Sequence, residues 1–252
     1  MIQYRTLAAY LAWLDLQSRF RRTRLGVLWV FIQVASFSIG AGFIWAAIFH
    51  LEPEEFVPFL AIGFALWGLF VGVFTEGSGA FVAAQGYIKQ TSIPLEVYVL
   101  RTFLTQMLLF SISFSVSILI LALVGKLVFI NLVYSIPGFF ILSLFSFCTI
   151  YSMAYIGVRY RDVQHALVGF FQLFFVLTPV IYPPEILIER GVGFAVYLNP
   201  FASLIDIIRT PLLHSKFADI QSYGASMLFI LFICLLGIVS RYFLHRKVAY
   251  LL

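Results

Sequence analysis

The sequence predicts an all-α integral membrane protein. It reads as six transmembrane helices, an N-terminal amphipathic interface helix, and an outer re-entrant helical hairpin between spans five and six. Composition is the first reason. Of 252 residues, 62% are hydrophobic and only 11% charged, with a mean hydropathy of +1.02. Soluble domains carry about 25% charged residues, so this chain has too little polar surface to cover a globule in water. The second reason is that long charge-free runs separate the charges, and such runs satisfy their own backbone in lipid only as helices. The third is the sidedness of Lys and Arg, set out below. The alternating pattern of an outer-membrane barrel is absent.

Before the first span, Leu7, Tyr10, Leu11 and Leu14 recur at i, i+3, i+4 and i+7. That is the stripe of an amphipathic helix, and residues 1–24 are expected to lie flat on the inner leaflet, anchored by arginines. The arginines come in "SRFRRTRLGVLWVFIQ", Ser18–Gln33, after which no charge appears until Glu52. Such an abrupt boundary marks the entry into hydrocarbon. A crossing needs about 20 apolar residues, and six charge-free runs meet that length. The expected spans cover approximately 26–50, 57–80, 102–124, 133–157, 164–182 and 223–242, in one transmembrane domain. The first run is too long for a signal peptide and lacks an A-x-A site, so it is expected to stay on the mature chain.

Between spans two and three, "AAQGYIKQTSIPLEVYVLR" is too polar for membrane core. Gly86 and Pro94 predict a short helix bounded by breaks. "RYRDVQ" joins spans four and five. The fifth span ends in "TPVIYPPEIL", where three prolines in seven residues stop a helix. The amphipathic "YLNPFASLIDIIRTPLLH" that follows is expected to form the re-entrant piece.

An even number of spans puts both termini on one side. With that topology, twelve Lys and Arg fall on the side of the termini and four on the other. The termini are therefore expected in the cytoplasm, the protein being multi-pass in its membrane. The net charge of +5 sits at the ends of apolar runs and forms no stripe for nucleic acid.

Reactive chemistry is not visible. No P-loop, G-x-S-x-G or H-E-x-x-H occurs. His50, His165, His214 and His245 are scattered near span ends, and Cys148 and Cys234 lie inside apolar runs without metal spacing. A membrane glycosyltransferase or phosphatase would need clustered acids or histidines. Glu76 is the one acidic group inside an expected span; it either reaches the interface or lines a polar cavity. A passive channel would leave the long loop between spans two and three unexplained.

Four segments carry a family resemblance. "SRFRRTRLGVLWVFIQ" resembles the R-[YF]-R-x-[ST]-x-L-G-x-L-W opening of the membrane subunits of type-2 ABC exporters for polysaccharides. "AAQGYIKQTSIPLEVYVLRTF" is similar to their first cytoplasmic loop. "RYRDVQHALVGFFQLFFVLTPVIYP" and "LNPFASLIDIIRTPLL" are similar to their later motifs. The order is preserved and nearly the whole chain is spanned. The usual proline after L-G-x-L-W is replaced at Gln33 or Val34, Ile93-Pro94 stands for Phe-Pro, Val97-Tyr98 follows Glu96, and Thr178-Pro179 stands for Ser-Pro. These departures leave the substrate branch open: O-antigen, capsule, teichoic acid, or a drug or small lipid.

The resemblance implies a homodimeric permease, working with two copies of a separate ATPase that binds ATP and Mg. The cargo it implies is a lipid-linked glycan, and this chain is expected to bind no cofactor or metal. Coupling to the ATPase is expected at Tyr87, Ile88, Lys89, Ile93, Pro94 and Glu96, braced by Arg161 and Asp162. Arginine forks suit phosphate, so Arg19, Arg21, Arg22, Arg24 and Arg101 are expected to capture the lipid phosphate. Sugars stack on ring faces, and Trp29, Phe37, Trp67, Phe70 and Phe74, with Glu76, are the expected translocation path. Tyr182, Pro183 and Pro184 are the expected outer gate.

Overall fold

The structure, a computed structural model, describes residues 2–21 and 23–252, and all regular structure among them is helical. Among the described residues, five helices are long and apolar enough to cross a membrane. Helix α1 (Ile2–Phe20) precedes the first of them. Its protein-facing stripe is Ala8, Leu11, Ala12 and Leu16, packed on α5 (Leu95–Leu123). This stripe is displaced from the expected one: Tyr10 and Leu14 are exposed, beside Trp13. The small Ala8 and Ala12 let α1 approach α5 closely, which the bulkier predicted stripe would not. A turn follows in which the Thr23 hydroxyl donates to the Phe20 carbonyl (2.9 Å) and accepts from the Gly26 N–H (3.1 Å). Gly26 has φ +54°, a conformation that costs glycine little. The Thr and Gly of the arginine motif are thus turn residues.

Helix α2 (Leu28–Phe49) buries only Ser38, Gly42 and Ala46, a small-residue stripe at i, i+4, i+8 against α3 (Pro53–Ala83). Small residues let helices meet where lipid removes the hydrophobic drive for association. Helix α3 starts with Pro53 at its first turn and Glu54 and Glu55 beside it, favourable at a helix N-terminus. It is the axis of the bundle and packs on α2, α5, α6 (Phe129–Arg159), α7 (Val163–Leu177) and α10 (Pro200–His214). Between α3 and α5 comes the short α4 (Gln85–Gln90), as the glycine and proline breaks predict. At Gly157 of α6 the backbone of Ser78 lies so close that any Cβ would collide with its carbonyl.

The chain departs from six full crossings at α7. This helix ends at Leu177 after 15 residues, about 22 Å at 1.5 Å per residue, short of the roughly 30 Å hydrocarbon thickness. Thr178 is extended (ψ 137°) because Pro179 follows. Two short helices, α8 (Pro184–Glu189) and α9 (Phe194–Tyr197), lead to α10. The Asn199 side chain caps α10, accepting from the Phe201 N–H at 3.0 Å, and its amide donates to the Thr178 hydroxyl at 2.8 Å. Phe201 then enters a ring cluster with Trp67, Phe70, Phe74, Phe171 and Phe229, at centroid distances of 5.4–6.1 Å. Helix α11 (Ile220–Leu244), a 3-10 turn (His245–Lys247) and α12 (Val248–Leu251) complete the chain.

Arg209 of α10 is buried against the break after α7. Its Nη1 donates to the Pro179 carbonyl (2.7 Å) and its Nη2 to the Val180 carbonyl (3.2 Å), and its guanidinium carbon lies 3.7 Å from the Phe59 ring centroid. Gly63 of α3 makes the space, since a Cβ there would overlap Arg209 Nη2. Arg209→Leu should strand two carbonyls and cost about 2–4 kcal/mol, read as a lower unfolding midpoint in detergent micelles. An unchanged midpoint would refute the anchoring role.

Candidate functional site

The basic end of the bundle holds a polar cavity of about 560 Å³ between α1, α3, α5 and the α6–α7 turn. Its charged groups come from three regions of sequence. Arg101 of α5 forks onto Asp15 of α1 through Nε (2.6 Å) and Nη2 (2.5 Å). Arg19 of α1 donates to Glu76 of α3 at 2.6 Å. Arg161, in the turn after α6, adds an unneutralised cation to the wall and donates to the Leu251 carbonyl of α12 at 3.3 Å. Three arginines therefore face two carboxylates, which leaves the lining one positive charge in surplus.

The two ion pairs differ in weight. Arg19 and Glu76 are each more than 40% exposed, so their pair adds little stability and serves mainly to bring α1 against α3. Arg101 is 16% exposed and its pair is bidentate, the geometry in which charge-assisted bonds are strong. Its third nitrogen, Nη1, is buried without a partner. Glu76 thus both lines a polar cavity and holds an arginine.

The expected phosphate-capture set divides. Arg19 and Arg101 line the cavity, whereas Arg21 and Arg24 are exposed and outside it; Arg22 lies outside the described residues. The expected path set divides as well. Phe37 and Trp67 line an apolar groove of about 530 Å³ between α2, α3 and α7, with Gln33, Phe171 and Phe175. Phe70 and Phe74 are packed in the ring cluster around Phe201 and line neither cavity, and Trp29 is exposed on α2. Their rings are held by helix packing because α10 fills the space they would otherwise face.

In the expected coupling segment, Tyr87, Lys89 and Pro94 are exposed, and Ile88 and Ile93 are half-buried against the core. Glu96 pairs with Arg241 of α11 at 3.0 Å. Arg161 donates to the Leu251 carbonyl of α12, and α12 in turn packs on α4 and α6. Asp162 stands at the N-cap of α7 without a side-chain cap bond. At the expected gate, the Tyr182 hydroxyl donates to the Val176 carbonyl at 2.8 Å, and Pro183 and Pro184 open α8.

Sequence reasoning missed Asp15, Gln106 and the C-terminal brace. Two signals were present: Asp15 is the lone acid before Glu52, and Gln106 is the lone amide in the run 102–125.

Comparison with known proteins supplies the context. The chain is 25% identical over 206 residues to the O-antigen export system permease protein RfbA of Myxococcus xanthus, covering 81% of this chain and 79% of the relative. Two proteins of the same name from Klebsiella pneumoniae are 26% and 25% identical over 192 residues, each alignment covering 76% of this chain and 74% of the relative. The chain resembles the membrane subunits of type-2 ABC exporters for polysaccharides. No family model matches it. The similarity extends over four-fifths of the chain and agrees with the four motifs, and the five apolar helices agree with a multi-pass permease.

The Asp15–Arg101 fork should hold α1 in place. Ala12 of α1 is fully buried on the stripe packed against α5. In a chain with Cys148 and Cys234 replaced by alanine, Ala12→Cys should be protected from thiol reagents. Adding Asp15→Ala should speed its labelling about 10-fold, equivalent to losing about 1.4 kcal/mol. Equal labelling rates would show that packing alone retains the helix.

Proposed function

We propose that this chain is the permease half of an ATP-driven exporter that moves a lipid-linked, O-antigen-like polysaccharide across the bacterial inner membrane. The observation that carries the reading is the similarity over most of the chain to O-antigen export permeases, on a bundle with five helices able to span. Two copies form the conduit, and two copies of a separate ATPase bind ATP and Mg and drive it. Both termini are cytoplasmic, so the basic end of the bundle faces the cytoplasm, as the excess of Lys and Arg there favours. Helix α1 lies at the inner interface, with Tyr10, Trp13 and Leu14 toward lipid. The short α7 makes the sixth, incomplete crossing, and α8–α10 form the re-entrant outer piece that Arg209 fastens to it.

The mechanism follows from the placement of charge and rings. Arg19 and Arg101 meet the carrier phosphate at the inner surface, exchanging carboxylate partners for phosphate oxygens. The apolar groove of Phe37 and Trp67 offers ring faces to sugars, which bind weakly enough to let a polymer move on. The prolines after α7 and Tyr182 close the outer end. Exposed Tyr87, Lys89 and Pro94 seat α4 in a groove of the ATPase. Because α4 packs on α12, and α12 on α6, a push at α4 reaches the bundle through α12 as well as through the helices joined to α4.

The reading is tested by purifying the tagged chain from its own host in mild detergent. An ATP-hydrolysing P-loop subunit should co-purify in equimolar amount, and deleting the chain should remove surface polysaccharide. A lone chain that transports unaided would overturn the reading. Lys89→Glu together with Tyr87→Ala should lower ATPase recovery at least 10-fold while leaving membrane insertion intact; full recovery would remove α4 from the coupling surface.

A further inference from the structure

We infer that the surface meeting the ATPase is built from two short helices, α4 and the C-terminal α12, with Tyr250 as an aromatic anchor and Arg246 and Lys247 as a basic rim. The inference rests on the reading of α4 as the coupling helix and adds residues 245–252 to it. The last residues of a chain are ordinarily loose unless something ties them down. Here three contacts tie them. The His245 ring is hydrogen-bonded through Nδ1 to the Tyr155 hydroxyl of α6, at 3.1 Å. Val248 is 1% exposed and belongs to the main core, with Leu251 and Leu252 packed against it. Arg161, in the turn after α6, donates to the Leu251 carbonyl at 3.3 Å. The 3-10 turn at His245–Lys247 thus leads the chain from α11 to a helix that packs on both α6 and α4.

What this docking leaves outside has the chemistry of a protein contact. Arg246, Lys247 and Tyr250 are exposed, Tyr250 to 91%. Ordering a terminus costs conformational entropy, and the Tyr250 ring, so exposed, offsets none of it within the chain. Rigidly presented tyrosines and arginines are the residues that anchor protein interfaces. Tyr87 of α4, half exposed, is a second such ring on the helix that α12 packs against. Charge points the same way. Among the described residues, Lys89, Arg246 and Lys247 enter no ion pair, while Glu96 is committed to Arg241. The face is therefore basic, and it fits a partner groove with an acidic rim. Tyrosine and basic residues also collect at lipid headgroups, but α11 supplies that position separately. It buries only Ser226, Ile230, Ile233 and Gly237, and its last turn presents Tyr242 and Phe243 outward, 83% and 64% exposed. Helix α12 instead continues the surface of Tyr87, Lys89 and Pro94, so its occupant is the subunit that seats α4.

The test places a photo-crosslinking residue, p-benzoylphenylalanine, in the full chain expressed in its own host. Tyr250, Tyr87 and Tyr242 are replaced one at a time, all three being exposed, so the fold is left intact. Membranes are irradiated and adducts identified by mass spectrometry. Positions 250 and 87 should both give adducts with the same P-loop ATPase, and position 242 should give lipid adducts alone. ATPase adducts from 87 with only lipid, or nothing, from 250 would overturn the inference and leave α4 as the coupling helix. Adducts from 250 without any from 87 would remove α4 from the contact and overturn the two-helix surface. Absence of ATPase adducts from both positions would overturn the inference together with the coupling role of α4. As a second measurement, Arg246→Glu with Lys247→Glu should lower recovery of the co-purifying ATPase about 5-fold, as rim charges do by slowing association. Unchanged recovery would overturn the basic rim.

Discussion

Close approach to α3 is the constraint on which the bundle depends. In lipid, apolar side chains gain nothing by leaving one hydrocarbon surface for another, so helices associate through packing density and polar bonds. Helix α3 meets that requirement with small residues aimed at different neighbours. Gly63 receives the Arg209 guanidinium, Gly72 the Gln106 amide, and Gly77 and Ser78 the α6 backbone around Ile150 and Gly157. Helix α2 meets α3 from the other side in the same way, through Gly42 against Val57. A methyl group added at Gly42, Gly63 or Gly72 would overlap Val57, Arg209 or Gln106 respectively, so each of these contacts would have to shift.

The same close approaches carry the polar chemistry. Arg209 can bond to the carbonyls of Pro179 and Val180 only because Gly63 lets it in, and Gln106 can line the polar cavity against α3 only because Gly72 leaves it room. The basic end adds a second arrangement. Asp15 and Glu76 each occupy an arginine, so the cluster that reads as five equivalent cations is differentiated in space. Arg19 and Arg101 are inward and paired, while Arg21 and Arg24 are outward and free to meet anionic lipid.

Much of this was readable along the chain. Helix starts and stops followed from charge-free runs and prolines, and Gly86 and Pro94 bounded the short α4 as expected. The crossing expected at 164–182 is not among the five long apolar helices, because the hydrophobic run from Val163 continues to Pro184 while Pro179 ends the helix at Leu177. The stripe of α1 was misplaced because Leu7, Tyr10 and Leu14 outweigh Ala8 and Ala12 in any hydrophobic pattern, although alanine is what a close helix contact needs. Phe70 and Phe74 were assigned to the path on ring type alone. Their burial depends on α10 bringing Phe201 between them, a contact more than 120 residues distant in sequence. The pairing of Asp15 with Arg101, 86 residues apart, is equally invisible to local pattern, though the isolation of Asp15 in a basic segment marked it as unusual.

These placements separate two demands on a polymer permease. A site that recognises one end of a cargo must be enclosed and polar, whereas the surface along which the remainder slides must be open and without deep partners. In the proposed function the two fall on different faces of α3. The polar cavity with its surplus cation lies between α3 and α5, and the apolar groove of Phe37 and Trp67 lies between α2, α3 and α7. No charged side chain lines the groove, so nothing there would hold an anionic polymer in place. Helix α1 covers the first and leads directly into α2, which walls the second. In the proposed mechanism, a displacement of α1 on exchange of the Asp15 and Glu76 partners for a phosphate is linked through the Thr23–Gly26 turn to the helix bordering the groove. In the proposed function, recognition at the basic end and access to the groove are joined by one short turn, the one in which the Thr23 hydroxyl bonds to Phe20 and Gly26.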